Sequence, residues 1–330
     1  MSLTSLPVEL LLEIVTLALH DNAHPTDVLC TNKVFLQLGQ RILHTHIHFQ
    51  SITQLTLFAQ QSAPLVCGPK TVSVSLAGGA ATFDVFVHLG AAFRRCIAAA
   101  RKASAHAHAD SQGGDSVGGS GDTENSAGAK VPLDLLSLCL HSHARNPNLP
   151  HIYEALSLAD PKTFVWMGPD PDHHFSTAIV PAATHHLFRA IHTWTRIEHI
   201  TLTNLSFPAD PLGLHAPFSH TTPLLPAIPH LRTVYLGQVT LLPPSVIAAM
   251  ICLPDTHNLE RVRLVDAYRE SIWGPRIRRS DVERAVREIT AGEDAQADAL
   301  VDKVRRLVRC EAKTERIMGG DRVEGLTVLE

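Results

Sequence analysis

Histidine is the residue type that could do most chemistry in this chain. The sequence has 21 histidines, several of them clustered: His44-x-His46-x-His48, His106-x-His108-x-Asp110, His141-x-His143, His173-His174 and His185-His186. In an extended segment alternate imidazoles lie on one side, where they could bind zinc. No His-Glu-x-x-His motif and no cysteine pair completes such a site. His106 and His108 fall in a stretch predicted to be flexible, where no surrounding residues could hold the imidazoles in place. We predict no metal site and no cofactor.

Motifs for other catalysis are also missing. The sequence contains no Gly-x-Ser-x-Gly elbow, no Gly-x-x-x-x-Gly-Lys loop and no Gly-x-Gly-x-x-Gly after a strand. Isolated acids such as Asp84, Asp160 and Glu198 have no partner that can be identified from the sequence. We therefore predict no catalytic residues and a protein that is not an enzyme, with a histidine-dependent metalloenzyme as the alternative.

A basic turn near the carboxyl end could bind anions. It contains Trp273, Arg276, Arg278 and Arg279. Arginine forks bind carboxylates or phosphates in pairs of hydrogen bonds, and a tryptophan could stack on one of them or anchor a ligand. These four residues are candidate target-binding residues. The alternative, which we favour, is a solvated loop whose arginines pair with Asp281, Glu283 and nearby acids.

The first fifty residues contain the elements that organise the rest. Pro7 fits the first turn of a helix, where its missing N–H costs nothing. Apolar residues then recur with a helical period and form a wide stripe: Leu6, Leu10, Ile14 and Leu17, with Leu11, Val15 and Ala18 alongside. The stripe is too broad for so short a segment to bury alone. A second helical run is predicted over residues 27–43.

Three motifs in this segment occur in a characteristic order and spacing. They are Leu6-Pro7-x-Glu9-Leu10-Leu11-x-x-Ile14, Asn32-Lys33-x-Phe35 and Arg41-Ile42-Leu43-His44-x-His46-Ile47. Together they resemble the F-box of fungal F-box-like proteins. The resemblance implies a small helical module over residues 1–49 that docks on the Skp adaptor of a cullin-RING ubiquitin ligase. It also implies that the docking surface includes Leu6, Pro7, Leu10, Ile14, Lys33 and Phe35.

The body, residues 50–330, contains a recurring unit of the form Leu-x-x-Leu-x-Leu. Copies begin at Leu133, Ile197, Leu231 and Leu259, with a weaker one at Phe164-Val165-Trp166. Helices are predicted between them, and each strand-plus-helix unit would be completed by its neighbours. The pattern resembles an irregular leucine-rich repeat. The alternative is an ordinary α/β domain whose strands match this degenerate string.

A leucine-rich-repeat geometry would turn the residues between the buried ones towards a concave sheet face. These are His199, Thr201, Thr203, Thr233, Tyr235, Gly237, Arg261, Arg263 and Val265. Tyrosine and arginine are frequent interface anchors. We therefore select Thr201, Thr203, Tyr235 and Arg263 as the target-binding residues of this face.

The remaining segments complete a mixed α/β prediction. Residues 104–130 are rich in glycine, serine and aspartate, which predicts a disordered insertion in the body. Residues 280–318 contain an apparent capping box, Ser280-x-x-Glu283, and an amphipathic pattern, which predict helices that cap the carboxyl end. A short closing strand is predicted over residues 323–329.

Composition limits the class of protein. The formal net charge of −4 argues against a nucleic-acid binder. The six cysteines are scattered, the start lacks the features of a signal peptide, and no apolar run reaches the length of a membrane span. We expect reduced thiols, no membrane association and a cytoplasmic or nuclear location.

These observations together predict a non-enzymatic substrate receptor of a Skp–cullin-type ubiquitin ligase. The amino-terminal module would bind the adaptor, and through it the cullin, while the body would bind an unknown target protein. The alternative is a stand-alone repeat scaffold whose degenerate F-box no longer binds the adaptor. Exposure of Leu6, Leu10 and Ile14 would distinguish the two, because a degenerate module would pack these side chains into the body.

Overall fold

The computed structural model describes residues 6–21, 25–76, 83–111, 128–171, 175–209, 223–225, 227–254, 256–290, 294–317 and 320–330. The helices in these residues are α1 (Val8–Asp21), α2 (Pro25–Cys30), α3 (Lys33–Thr45), α4 (Ile52–Gln60), α5 (Val85–Ser111), α6 (His151–Leu156), α7 (Pro181–Ile191), α8 (Pro244–Cys252), α9 (Arg279–Ile289) and α10 (Asp294–Leu307). The strands are β1 (His46–Phe49), β2 (Thr71–Ser75), β3 (Val131–Cys139), β4 (Ala159–Met167), β5 (His199–Ser206), β6 (Thr233–Thr240), β7 (Arg261–Ala267), β8 (Val308–Ile317) and β9 (Gly320–Val328).

All these strands belong to one sheet, and their order in the sheet is their order along the chain. Strands β1 to β8 are parallel, and β9 returns antiparallel to β8. Parallel neighbours need a crossover connection, which most consecutive pairs make with a helix. Because such crossovers are right-handed and the strands are added in one direction, the helices lie on one face of the sheet. The mixed α/β prediction is confirmed at this level.

The two faces of the sheet differ in burial. In β2, Val72 and Val74 are buried, whereas the residues between them are partly exposed. This alternation follows from the period of two in a strand. The buried face forms one core with the helices, to which Phe164, Trp166, Leu187, Ile247 and Val301 all contribute.

We call the other side of the sheet the open face. Two rows of directly opposed residues define it. The first is His46, Thr71, Leu135, Thr163, His199, Thr233 and Arg261, and the second is His48, Ser73, Ser137, Val165, Thr201, Tyr235, Arg263 and Arg309. Six of the nine residues predicted for the concave face lie in these rows: His199, Thr201, Thr233, Tyr235, Arg261 and Arg263. The other three, Thr203, Gly237 and Val265, form a third row, in which Val265 is only 2 % exposed and so is not a surface residue as predicted.

The amino-terminal helices α1, α2 and α3 pack on one another. Gly39 lies buried in α3, and a Cβ there would stand 2.1 Å from Leu29 Cδ2. The missing side chain therefore lets α2 and α3 approach closely. The Asn32 side chain accepts a hydrogen bond of 2.9 Å from the Phe35 N–H and caps α3. Helix α3 leads directly into β1 at the edge of the sheet.

The module predicted over residues 1–49 includes the first strand of the sheet. Ile47 and Phe49 are buried while His46 and His48 are exposed, which is the alternation of a strand. Residues 46–49 pair with β2 and so belong structurally to the sheet. The helical part of the module therefore ends at Thr45.

The carboxyl-terminal helical prediction over residues 280–318 is correct for α9 and α10 but wrong beyond Leu307. Residues 308–317 form strand β8, because Val308 and Cys310 fill core positions at strand spacing. The capping box is also displaced: α9 begins at Arg279, and the Asp281 carboxylate accepts the Arg278 N–H at 2.9 Å. Strand β9 contains most of the predicted closing strand.

The insertion predicted over residues 104–130 overlaps helix α5, which continues to Ser111. Residues 112–127 lie outside the described residues, and 128–130 lead into β3. Across the described ranges, none of the helices has the length and apolar character needed to span a bilayer.

Candidate adaptor and target surfaces

Helix α1, together with Leu6 just before its start, presents a row of apolar side chains to solvent. The exposed fractions are 37 % for Leu6, 48 % for Leu10, 37 % for Ile14 and 58 % for Leu17. On the adjoining face of the helix Leu11 and Val15 are buried, at 4 % and 0 %. Single exposed leucines are ordinary on protein surfaces, whereas a row at helical spacing makes this face a candidate interaction surface. We call Leu6, Leu10, Ile14 and Leu17 the α1 stripe.

The other predicted docking residues lie at the starts of α1 and α3. Pro7 is exposed, and its carbonyl accepts the Leu11 N–H at 3.1 Å, as expected at a helix start. Lys33 is exposed, whereas Phe35 is half-buried. Helix α3 also exposes apolar residues that the sequence pattern did not single out: Val34, Leu36 and Leu43. Their exposure depends on how α3 packs, which the period alone does not indicate.

The open face brings together the four target-binding residues predicted for it. Thr201, Tyr235 and Arg263 are directly opposed in the second row. Thr203 lies opposite Gly237, where an added Cβ would stand 3.0 Å from Tyr235 Cε1 and 3.1 Å from Thr203 Cγ2. The Arg263 guanidinium carbon lies 5.3 Å from the centroid of the Tyr235 ring. These contacts make one continuous surface over β5 to β7.

A buried carboxylate supports two arginines on this face. Glu311, only 1 % exposed, accepts a hydrogen bond of 2.6 Å from Arg263 Nε and pairs with Arg309 Nε. Arg263 and Arg309 oppose each other in the register, so their like charges would repel without this acid. The sequence interpretation missed Arg309 because its segment was assigned to a helix.

The basic turn does not form one cluster of available arginines. Arg276 Nε donates to Asp266 at 2.8 Å, and Arg279 pairs with Glu283 at 3.4 Å and Glu330 at 3.2 Å. This is the geometry of the alternative interpretation, in which the arginines pair with nearby acids. Arg278 is exposed, and Trp273 is 81 % exposed.

Three polar residues at equivalent places have left-handed backbone conformations. The φ angles are 58° at Asn204, 50° at Gln238 and 50° at Asp266. Each follows the central part of its strand, in β5, β6 and β7, and Asn204 Nδ2 donates to Gln238 Oε1. Asparagine and aspartate tolerate this region better than most residues. A polar residue recurring at one offset in successive units was a signal available in the sequence.

Asp266 forms the most connected buried polar site in the described part of the chain. Besides Arg276, its carboxylate accepts the Lys313 N–H at 3.1 Å, the Thr314 N–H at 3.0 Å and the Thr314 hydroxyl at 3.0 Å. Arg276 also donates to the Thr314 carbonyl. The network joins β7, the basic turn and β8, and so positions the strand that carries Arg309 and Glu311.

The histidine clusters do not converge. His44 lies in α3, where its Nδ1 accepts the Val66 N–H at 3.0 Å, whereas His46 in β1 meets the Thr71 hydroxyl at 3.0 Å. His141 Nε2 lies 3.0 Å from the Asp170 carboxylate. His173 and His174 fall outside the described residues. Among the side chains that the structure describes, no three or more His, Cys, Asp or Glu form a group able to hold a metal ion.

Three histidines have a lowered pKa in the folded chain, from which we expect the protein to lose stability in acid. Burial lowers the pKa of His44, and the Arg95 guanidinium lowers it further; burial also lowers the pKa of His186 and His192. The unfolded chain therefore binds more protons below pH 6.5, the ordinary histidine value. We expect the free energy of unfolding to fall as the pH drops from about 7 to 5.

Denaturant unfolding at several pH values measures this slope. His44→Asn should reduce it, because the asparagine carbonyl accepts the Val66 N–H at any pH. An unchanged slope in that variant would exclude His44 as a contributor.

No known protein family, curated protein or solved structure matches this chain. Within the described residues, the α1 stripe and the open face are two features on which a function can be based. One is apolar and helical, and the other is a sheet surface with polar and basic side chains.

Proposed function

We propose that this protein is a substrate-recognition subunit of a Skp–cullin-type ubiquitin ligase. Its helical module binds the Skp adaptor, and its body binds a target protein. The observation that carries the proposal is the exposed α1 stripe, within a segment that resembles an F-box. The contribution is proximity: the receptor raises the effective concentration of target lysines near a catalytic cysteine on another protein.

The spacing of the α1 stripe supports docking of a helix in a groove. Leu6, Leu10 and Ile14 recur every four residues, which is how an amphipathic helix presents its anchors to a partner. Truncating a well-packed anchor of this kind costs about 2 kcal/mol or more of binding free energy. The exposure of these residues favours the receptor over a scaffold with a degenerate module, in which they would pack against the body.

The order of the strands supports a leucine-rich-repeat-like solenoid as the target-binding body. Each strand lies beside the next one along the chain, and each unit is covered by its neighbours, as in stacked repeats. The open face is then the concave surface, with Thr201, Thr203, Tyr235 and Arg263 available to a target. Such a receptor would work in the cytoplasm or nucleus, consistent with its free cysteines.

The proposal predicts that Leu10→Asp combined with Ile14→Asp reduces co-purification of the Skp adaptor to background. Two carboxylates in an apolar contact would each cost desolvation as well as the lost anchor. Co-expression of the tagged full chain with the adaptor, followed by affinity purification, measures the effect. Circular dichroism shows whether the variant remains folded.

Leu57→Asp is the matched control. Leu57 is also an exposed leucine, at 62 %, so the same substitution places a carboxylate on the surface. It lies on α4, outside the module. Co-purification should be unchanged in this variant. Adaptor recovery at the wild-type level with the α1 double substitution would contradict the proposal.

A further inference from the structure

Charge is segregated on the open face. Across β1 to β6 its two rows contain hydroxyl, apolar and histidine side chains but no Asp, Glu, Lys or Arg. All three arginines of the rows lie at one end, Arg261 and Arg263 on β7 and Arg309 on β8. A partner lying across this face would therefore meet an uncharged surface and then a basic one.

The basic end has more hydrogen-bond donors than its own acid can satisfy. Glu311 is the single carboxylate among these arginines in the described part of the face, and it is bound through Nε of Arg263 and of Arg309. Each guanidinium carries five N–H donors, so the terminal nitrogens remain for another acceptor. The Arg261 side chain is exposed and makes no hydrogen bond or ion pair within the described ranges, although its backbone N–H donates to the Arg232 carbonyl at 3.1 Å.

We infer that the open face binds a carboxylate-rich segment of a partner protein, with its Asp and Glu side chains over Arg261, Arg263 and Arg309. Guanidinium groups bind carboxylates through paired, charge-assisted hydrogen bonds. Tyr235 stands beside this end and offers an aromatic anchor. The inference rests on the proposed function, since it names the chemistry of the target.

A protein segment fits this surface better than a nucleic acid. The basic region spans two strands of a chain whose formal charge is −4, whereas a nucleic-acid site needs a basic track. Further along the same rows, on β3 and β4, the open face carries Leu135 and Val165, which can contact apolar side chains of a peptide. The occupant is therefore an acidic stretch followed by an uncharged one.

Selection from a displayed library of random twelve-residue peptides on the immobilised full chain tests this inference. The readout is the Asp and Glu content of the enriched peptides. We expect strong acidic enrichment with the wild-type protein. Arg261→Gln combined with Arg309→Gln should return the Asp and Glu content to the level of the starting library. The same double substitution should raise the dissociation constant of the best synthetic peptide about tenfold or more. Peptides without acidic enrichment on the wild-type protein would overturn the inference.

Two control proteins make the result specific. Arg287→Gln with Arg306→Gln removes the same charge from exposed positions on α9 and α10, on the helical side of the sheet, and should leave selection unchanged. An equal loss in this control would also overturn the inference.

The α1 double substitution should keep acidic selection, so failure of peptide selection is distinguishable from failure of adaptor binding. Arg261→Gln alone, which removes no side-chain hydrogen bond or ion pair within the described ranges, should lower affinity without unfolding the chain.

Discussion

Asp266→Ala is expected to lower the free energy of unfolding by about 3–5 kcal/mol, the usual cost of removing one partner from a buried ion pair. Asp266 is only 1 % exposed and accepts hydrogen bonds from Arg276, Thr314 and the Lys313 N–H. Alanine would leave the Arg276 guanidinium without its carboxylate and two backbone N–H groups without acceptors. The φ of 50° at this position adds strain for a residue other than glycine, asparagine or aspartate.

Urea denaturation measures the change, with two variants as references. Asp266→Asn keeps an acceptor and tolerates the backbone angle, so it should cost less and isolate the contribution of the charge. Asp302→Ala removes an exposed acid paired with Arg305 at 3.1 Å and should change stability by less than about 1 kcal/mol. If Asp266→Ala were as mild as Asp302→Ala, the network would not stabilise the β7–β8 junction.

The central strands could be predicted because their signal is local. Each Leu-x-x-Leu-x-Leu unit alternates apolar and polar residues, so Ile200 and Leu202 face the core while Thr201 faces away. Repetition of the unit along the chain then predicts that successive strands are neighbours, as they are. The positions of Tyr235 and Arg263 on one face follow from the same period.

Strand β8 was missed although its signal is present. Val308, Cys310 and Ala312 alternate with Arg309, Glu311 and Lys313, which is a strand pattern. The helical pattern of α10, which includes Val301 and Val304, ends in Leu307 and merges with Val308, so the helix was extended into the strand. The distinction needed the tertiary pairing of β7 with β8.

Burial of Glu311 and Asp266 could not be inferred from local sequence. Their partners Arg263 and Thr314 lie 48 residues away along the chain in each case. Likewise, α1 has apolar residues on adjoining faces, at Leu10 and at Leu11. Only the packing of α1 on α2 and α3 decides that Leu11 is buried and Leu10 exposed.

Glu311→Gln is expected to change stability and acidic-peptide binding in opposite directions. The substitution removes a carboxylate that is 1 % exposed and leaves Arg263 and Arg309 opposed with no acid between them. We expect unfolding to become easier by about 1–3 kcal/mol. Both guanidinium groups would then need an external carboxylate, so acidic peptides should bind several-fold tighter at low salt, with a steeper salt dependence.

Fluorescence anisotropy with one acidic peptide, measured well below the unfolding temperature, tests the binding half of this prediction. Asp302→Asn is the control, because Asp302 is an exposed acid on α10, on the helical side of the sheet, where it lies 3.1 Å from Arg305, and this substitution should alter neither property. A joint loss of stability and peptide affinity in Glu311→Gln would mean that Glu311 must hold the arginines in place for binding. Tighter binding despite lower stability would mean instead that Glu311 competes with the target for the same donors, as an internal acid occupying part of the ligand site.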